Sequence, residues 1–342
     1  MSALGLHLKT NGFSAVEVEK KKSKNSLLNW GSHEMPNFTL DIENEENRTH
    51  YSRELKKFLF DFNFESTDAI VSLPQDQVFV RTIKVPHMSK KDLDNFIKYE
   101  SEQYIPLPLE EVTLGYAVMN LDLEDQDKTS VLLVAAKKTV SQKYIQIVKE
   151  AGLTPRALEP ESLSMTRALG GDMHATGAEL VIEIGPKETL IVLAYKGFVI
   201  LTRTIPLGDL TLTKSLAQKM DLDMTRAKEY KNSYGLDKSK VEGKVYEALH
   251  PLFDRLISEI KKSKVFFTTH NPNVRINKIV VSGETALMPG LLLYMVNNFD
   301  VEVELANPWT NLNLDSVDTS KDDFHRKGPI YAVPVGLAMK VS

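Results

Sequence analysis

The sequence predicts an α/β protein of two lobes built on one plan. Two three-strand meanders of the same order, one opening each half of the chain, carry that prediction, and each is followed by helical spacing and further strand. A chain of 342 residues also exceeds one ordinary domain, so two cores are expected.

The first meander comprises strands at 3–8, 14–19 and 27–33. Asn11-Gly12 supplies a hairpin turn, because both residue types tolerate positive φ, and KKKSKN at 20–25 supplies a second, polar one. Leu55, Phe58, Leu59 and Phe62 then recur at helical spacing, and 69–73 reads as a short strand. Residues 77–150 form a module of their own: strand VFVRTIKVP, a helix with Ser89 as N-cap and Asp92 as capping-box partner, strands at 111–121 and 130–136, and a helix at 139–151. The acidic tip DLEDQDK joins its last two strands, and the glycines at 170, 171 and 177 suggest a linker between the halves. The second meander, 179–208, turns at Gly185-Pro186 and Lys196-Gly197. Helices are expected at 210–220, 224–234 and 239–267, a strand at 277–282, a helix at 291–299, a strand at 301–304 and a closing helix near 333–340.

Composition excludes several function classes. Hydrophobic residues at 42% and charged ones at 26% describe a globular chain rather than a fibre or a disordered one. A net charge of -4 gives no global positive field, so nucleic acid is not expected as a partner. The absence of cysteine removes disulfides, thiolate nucleophiles and iron–sulfur clusters. The eight histidines include no i, i+4 pair, so no metal site is expected from them, and neither a P-loop nor a G-x-S-x-G motif occurs. No secretory signal opens the chain and no apolar run approaches the roughly 18 residues of a membrane span. A cytoplasmic location without membrane insertion is the expectation.

Four segments carry a resemblance that runs from Leu4 to Met339: LGLHLKTNGFSAVEV, ESEQYIPLPLEEV, LVIEIGPKETLIVLAYKGFVILTRTIPLG, and VVSGETALMPGLLLYMVNNFDVEVELANPW. Together they resemble the PilM family of type IV pilus assembly proteins, relatives of the cell-division protein FtsA within the actin, hexokinase and sugar-kinase superfamily. The resemblance implies an actin-like (ribonuclease H-like) duplicated fold. Its first lobe would span 1–76 and 151–170, with an inserted FtsA-like subdomain at 77–150. The second lobe would span 178–342, with a helical subdomain at about 207–275. It further implies a scaffold of the pilus platform, whose insert clamps the N-terminal cytoplasmic peptide of a PilN-like inner-membrane protein. Such a chain would lie at the inner membrane through that partner, beside other platform components; the alternatives the resemblance leaves are an active magnesium-ATP-binding ATPase and an FtsA-like polymerising cytoskeletal protein, and a homo-oligomer is compatible with either.

The same resemblance implies ATP with magnesium between the lobes, and here the sequence departs from the pattern. His7 stands for the family's Asp, Lys9 for its Gly and Ser14 for its Lys, while Thr10 and Asn11 keep small polar character. A β-carbon in a left-handed loop costs roughly 1–2 kcal/mol, so the Lys9 loop is expected to take another shape. In the second loop Glu183 keeps a carboxylate, Gly185 and Thr189 remain, and Pro186 and Lys187 are unusual; proline removes an N–H donor. In the adenosine loop Gly283 remains, followed by Glu284 and Thr285. Glu159 and Glu161 occupy the place of a water-orienting residue and, with Glu183, are the candidate catalytic groups. Lys9, Thr10, Asn11, Gly185, Lys187, Thr189, Gly283, Glu284 and Thr285 are the candidate nucleotide contacts. Three readings stay open: a vestigial cleft, binding without turnover, and a true ATPase. The departures favour ATP bound weakly or not at all. Phe96, Tyr104, Ile105 and Pro106, a proline-stiffened apolar stripe, are the candidate partner contacts.

Overall fold

The structure, a computed structural model, describes residues 2–20, 24–36, 38–119, 128–169, 177–272, 274–320 and 323–340. The expected lysine tip at 21 and 22, most of the acidic tip and the glycine linker at 170–176 lie outside them. The first half opens with β1 (Ser2–Lys9), β2 (Gly12–Glu19) and β3 (Asn25–Glu34), followed by α1 (Glu45–Asp61) and β4 (Asp68–Leu73). Asn44 caps α1 by accepting from the Asn47 N–H, and Tyr51, Leu55, Phe58 and Leu59 bury its inner face. Each such apolar side chain, fully buried, contributes about 1.5–3 kcal/mol. The module contains β5 (Val78–Pro86), α2 (Lys90–Glu100), β6 (Val112–Met119) and β7 (Lys128–Lys137), then α3 (Lys138–Glu150). The Ser89 cap is as expected: its hydroxyl oxygen accepts from the Asp92 N–H at 3.2 Å and its proton goes to the Asp92 carboxylate at 2.7 Å.

Next come β8 (Thr154–Pro160), a strand the sequence analysis did not expect, and α4 (Glu161–Leu169). The second half holds β9 (Ala178–Ile184), β10 (Thr189–Tyr195), β11 (Phe198–Ile205), α5 (Asp209–Met220), α6 (Met224–Tyr234) and α7 (Lys244–His270). It closes with β12 (Ile276–Ser282), α8 (Leu291–Val296), β13 (Glu302–Leu305), β14 (Leu312–Asn313) and α9 (Ala332–Ala338).

Duplication is plain in the sheets. One runs β3-β2-β1-β4-β8 and the other β11-β10-β9-β12-β13, each an antiparallel meander extended by two parallel strands. Helices α5, α6 and α7 cover the second sheet through Leu212, Leu216, Ala227, Phe253 and Leu256.

Tertiary packing redraws two expected boundaries. Helix α3, placed with the insert at 77–150, contributes Val140, Tyr144, Ile147 and Val148 to the core of the first half. The three-stranded insert sheet, β5-β7-β6, ends before it. The C-terminal segment, placed with the second lobe, returns to the first: β14 extends the first sheet beside β3, and Trp309, Phe324 and Tyr331 surround Trp30 of β3 with ring centroids 5.2–6.2 Å apart. Helix α9 lies against β1, where a Cβ on Gly5 would sit 2.0 Å from the Pro334 carbonyl oxygen. The chain therefore crosses between halves twice, outward after α4 and back before α9.

The first hairpin also differs by one residue. Lys9 pairs with Gly12 as extended strand, so Thr10 and Asn11 form the turn and only Gly12 has positive φ, at 153°. Tyr51 of α1 fixes it, its hydroxyl lying 2.6 Å from the Lys9 carbonyl oxygen and 2.9 Å from that of Gly12. Lysine at 9 is thus unstrained, as the expected change of loop shape requires.

Candidate functional site

Open α/β sheets place ligands beyond the carboxyl ends of their parallel strands. Here β1, β4 and β8 end at Lys9, Leu73 and Pro160, and β9 and β12 at Ile184 and Ser282. The segments after β1, β4, β8 and β9 converge on a cavity of about 150 Å³ between the halves, lined by Thr10, Asp76, Tyr144, Glu161, Glu183, Lys187 and Glu188 among others, while the loop after β12 lines an adjoining pocket with Lys9 and Glu183.

The chain's own side chains bridge this cleft. Lys9 Nζ donates to Glu284 Oε1 at 2.6 Å, joining β1 of the first half to the loop after β12 of the second. That ammonium pulls the Glu284 carboxyl below the ordinary range. His7 Nε2 lies 3.0 Å from Glu161 Oε1, and the Gln75 N–H donates to the other oxygen of Glu161 at 3.2 Å. Lys228 of α6 pairs with Glu34 at the end of β3, and Asn11 donates to the same carboxylate at 3.2 Å. Lys231, 1% exposed, pairs with Asp209 and donates to the Thr213 hydroxyl at 3.0 Å, while Thr285 donates to Asp209 Oδ1 at 2.8 Å.

Several backbone donors that a phosphate would use are also engaged. The Gly185 N–H donates to the Glu188 carbonyl at 2.9 Å, and the Gly283 N–H to that of Pro329 at 2.9 Å. Thr189 directs its hydroxyl to the Leu207 carbonyl at 2.6 Å. Gly283 itself is required, since φ is 91° and a Cβ would stand 2.6 Å from the Ile184 carbonyl oxygen.

Of the candidate catalytic groups, Glu161 and Glu183 face the cavity together. Glu159 does not join them. Its carboxylate takes both guanidinium nitrogens of Arg167 at 2.7 Å and Lys340 Nζ at 2.9 Å, so it clamps β8, α4 and the end of α9. Among the candidate partner contacts Ile105 is buried in the insert's core with Val112 and Ala135, which removes it from any surface. Phe96 and Tyr104 are half-buried and Pro106 is exposed. Sequence reasoning missed Asp76, Glu188, Lys231 and Asp209 as parts of the site. Only the unusual helical Lys231 within an otherwise amphipathic pattern could have flagged the last pair.

Burial sets the charge state of the cavity. It raises Glu161 from 4.5 to about 8, helped by Asp76, and raises Glu183 and Glu188 to about 7; it lowers His7 from 6.5 to about 4. Between pH 4.5 and 8 the folded chain holds carboxyl protons that the unfolded chain has released, so these groups lower stability as pH rises. His7 acts oppositely between pH 4 and 6.5 and adds nothing above that. A net loss is therefore expected from pH 6.5 to 8, on the order of 2 kcal/mol from Glu161. Denaturant titrations across that range should show it, and Glu161→Gln should flatten the slope; a flat wild-type profile would refute the assignment.

A family model for type IV pilus assembly protein PilM matches residues 5–342. The chain belongs to the PilM family. It is 25% identical to a chain of the solved PilM-PilN type IV pilus biogenesis complex, covering 99% of this chain and 98% of that one with a TM-score of 0.83. Its fold is actin-like: it matches the ethanolamine utilization protein EutJ of Carboxydothermus hydrogenoformans over 99% and 89% of the two chains (15% identity, TM-score 0.56). An MreB of Spiroplasma citri bound to AMPPNP matches over 99% and 95% (11% identity, TM-score 0.54). As a PilM-family member the chain is a pilus assembly scaffold on an actin-like frame. Among the described residues no helix is long and apolar enough to cross a membrane.

Proposed function

We propose that this PilM-family chain is a docking scaffold without turnover, which holds the N-terminal cytoplasmic peptide of a PilN-like inner-membrane protein in the groove of its insert. The scaffold would then lie at the inner membrane's cytoplasmic face through that partner. The observation that carries the loss of turnover is the Lys9–Glu284 ion pair, which spans the cleft where a superfamily member would seat phosphates. The residues present do not fit magnesium-ATP. A histidine paired to Glu161 replaces the first strand-end carboxylate, and Lys9 is committed to Glu284. Burial keeps Glu161 protonated at neutral pH and Glu183 and Glu188 partly so, which leaves them little charge to hold a magnesium ion, and Lys231 with Asp209 consumes the Thr285 hydroxyl.

For the peptide, support comes from the solved complex named for both proteins and from the insert's outer strand. β6 lies at the edge of its sheet, with Tyr104 and Phe96 half-exposed on the same module. An edge strand offers unpaired main-chain groups to an extended segment. Calorimetry with the synthetic N-terminal peptide of a PilN-like protein should give a Kd of about 1–10 μM that is unchanged by magnesium-ATP. ATP alone should give no heat up to about 1 mM. Absence of peptide binding, or phosphate release that Glu183→Ala abolishes, would overturn the reading.

A further inference from the structure

We infer that the outer face of the C-terminal half of α1 and its cap, residues 53–62, with the adjoining part of β3, is a contact surface for an anionic lipid bilayer. Phe60 is 82% exposed, and Phe62 and Leu28 are exposed beside it. This end of α1 is fastened to β3: Asn29 Nδ2 donates to the Phe62 and Asn63 carbonyls at 2.6 and 3.1 Å, and the Phe62 ring covers Gly31, where a Cβ would come within 2.3 Å of it. Phe60 is therefore held outward by a rigid support.

Arg53, Lys56 and Lys57 lie seven, four and three residues before Phe60, on the same face of the helix, and all are exposed. Lys56 and Lys57 have no carboxylate partner among the described residues. Glu54 and Asp61 reduce the local charge, leaving three basic groups against two acidic between 53 and 61. Lys24, just before β3, is occupied with the Thr310 carbonyl, to which it donates at 3.0 Å, and is not counted with them.

Lysine is depleted at protein–protein interfaces, whereas an aromatic flanked by two lysines and an arginine on long stems suits a deformable anionic headgroup layer. The ring enters the interface while the ammonium groups meet lipid phosphates. The contact involves no spanning segment, and it is separate from peptide docking on the insert. Each contact would strengthen the other by confining the chain to the same surface.

The test is flotation of the full chain with vesicles containing phosphatidylglycerol, against vesicles of phosphatidylcholine alone. Binding to the anionic vesicles is expected and should vanish at about 0.5 M salt. Replacing both lysines, Lys56→Gln with Lys57→Gln, should weaken it about 25-fold, about fivefold for each basic group. Phe60→Ser should weaken it as well. Thermal melts and peptide calorimetry should be unchanged in these exposed variants, which separates this inference from the docking reading. Equal binding to neutral vesicles, or anionic binding indifferent to the lysine and phenylalanine changes, would overturn it. So would no vesicle binding by the wild type at low salt.

Discussion

Replacing Gly336 with alanine is expected to destabilise the protein by about 3 kcal/mol or more, near the upper end for overpacking. Helices α4 and α9 cross in backbone contact, and a Cβ at Gly336 would stand 1.8 Å from the Ser164 carbonyl oxygen and 2.4 Å from its carbon. A flexible side chain could swing away from such a clash; a helical carbonyl cannot. The two helices must separate, and α4 carries Glu161 into the cleft while Arg167 binds both Glu159 and the Gly336 carbonyl at 2.7 Å. The strain would therefore spread to the crossing between the halves. Gly115 of β6 is the internal control, because a Cβ there meets nothing within 4 Å. Gly115→Ala should be neutral or slightly stabilising through the unfolded chain. Urea unfolding of both variants decides the matter, and equal midpoints would contradict the close crossing.

Asp209→Ala should cost about 3–5 kcal/mol, because it strands the Lys231 ammonium in the interior. Lys231 is 1% exposed, and burial already depresses its pKa, with Asp209 as the opposing influence. Removing the ammonium as well, in Asp209→Ala with Lys231→Met, should recover most of the loss, since an apolar chain of similar length fills the space without a charge to desolvate. A double-mutant cycle read by denaturant unfolding tests this. If the double variant is as unstable as Asp209→Ala, the pair is not the source of the cost. The same pair holds Thr285, so the cycle also probes how firmly the loop after β12 is kept from other ligands.

Much of the frame was legible from local pattern. Lys196-Gly197 turns the second meander with φ of 50° and 77°, freely for the glycine and at a cost for the lysine, and the Ser89–Asp92 cap and the bounds of α6 follow the sequence closely. Strand β8 was missed because TPRALEP shows neither alternation nor a run of β-branched residues; parallel pairing with β4 makes it a strand. β14 escaped for a similar reason, being two residues long and held by β3 and the aromatic cluster around Trp309.

The site divides along the same line. The sequence by itself determined the duplicated meanders, the family, and the replacement of the first carboxylate and glycine by His7 and Lys9, because turn chemistry, periodicity and residue identity are local properties. It also brought Glu161 and Glu183 forward as cleft carboxylates. Only the tertiary structure decided that Lys9 reaches Glu284, 275 residues away, and that Glu159 serves a clamp on α9 rather than the cavity. It alone decided that β14, the aromatic cluster around Trp30 and α9 belong against the first sheet. Those outcomes depend on which charges and apolar faces the fold brings within a few ångströms, where desolvation and Coulomb attraction become strong, and distance in space is not written in distance along the chain.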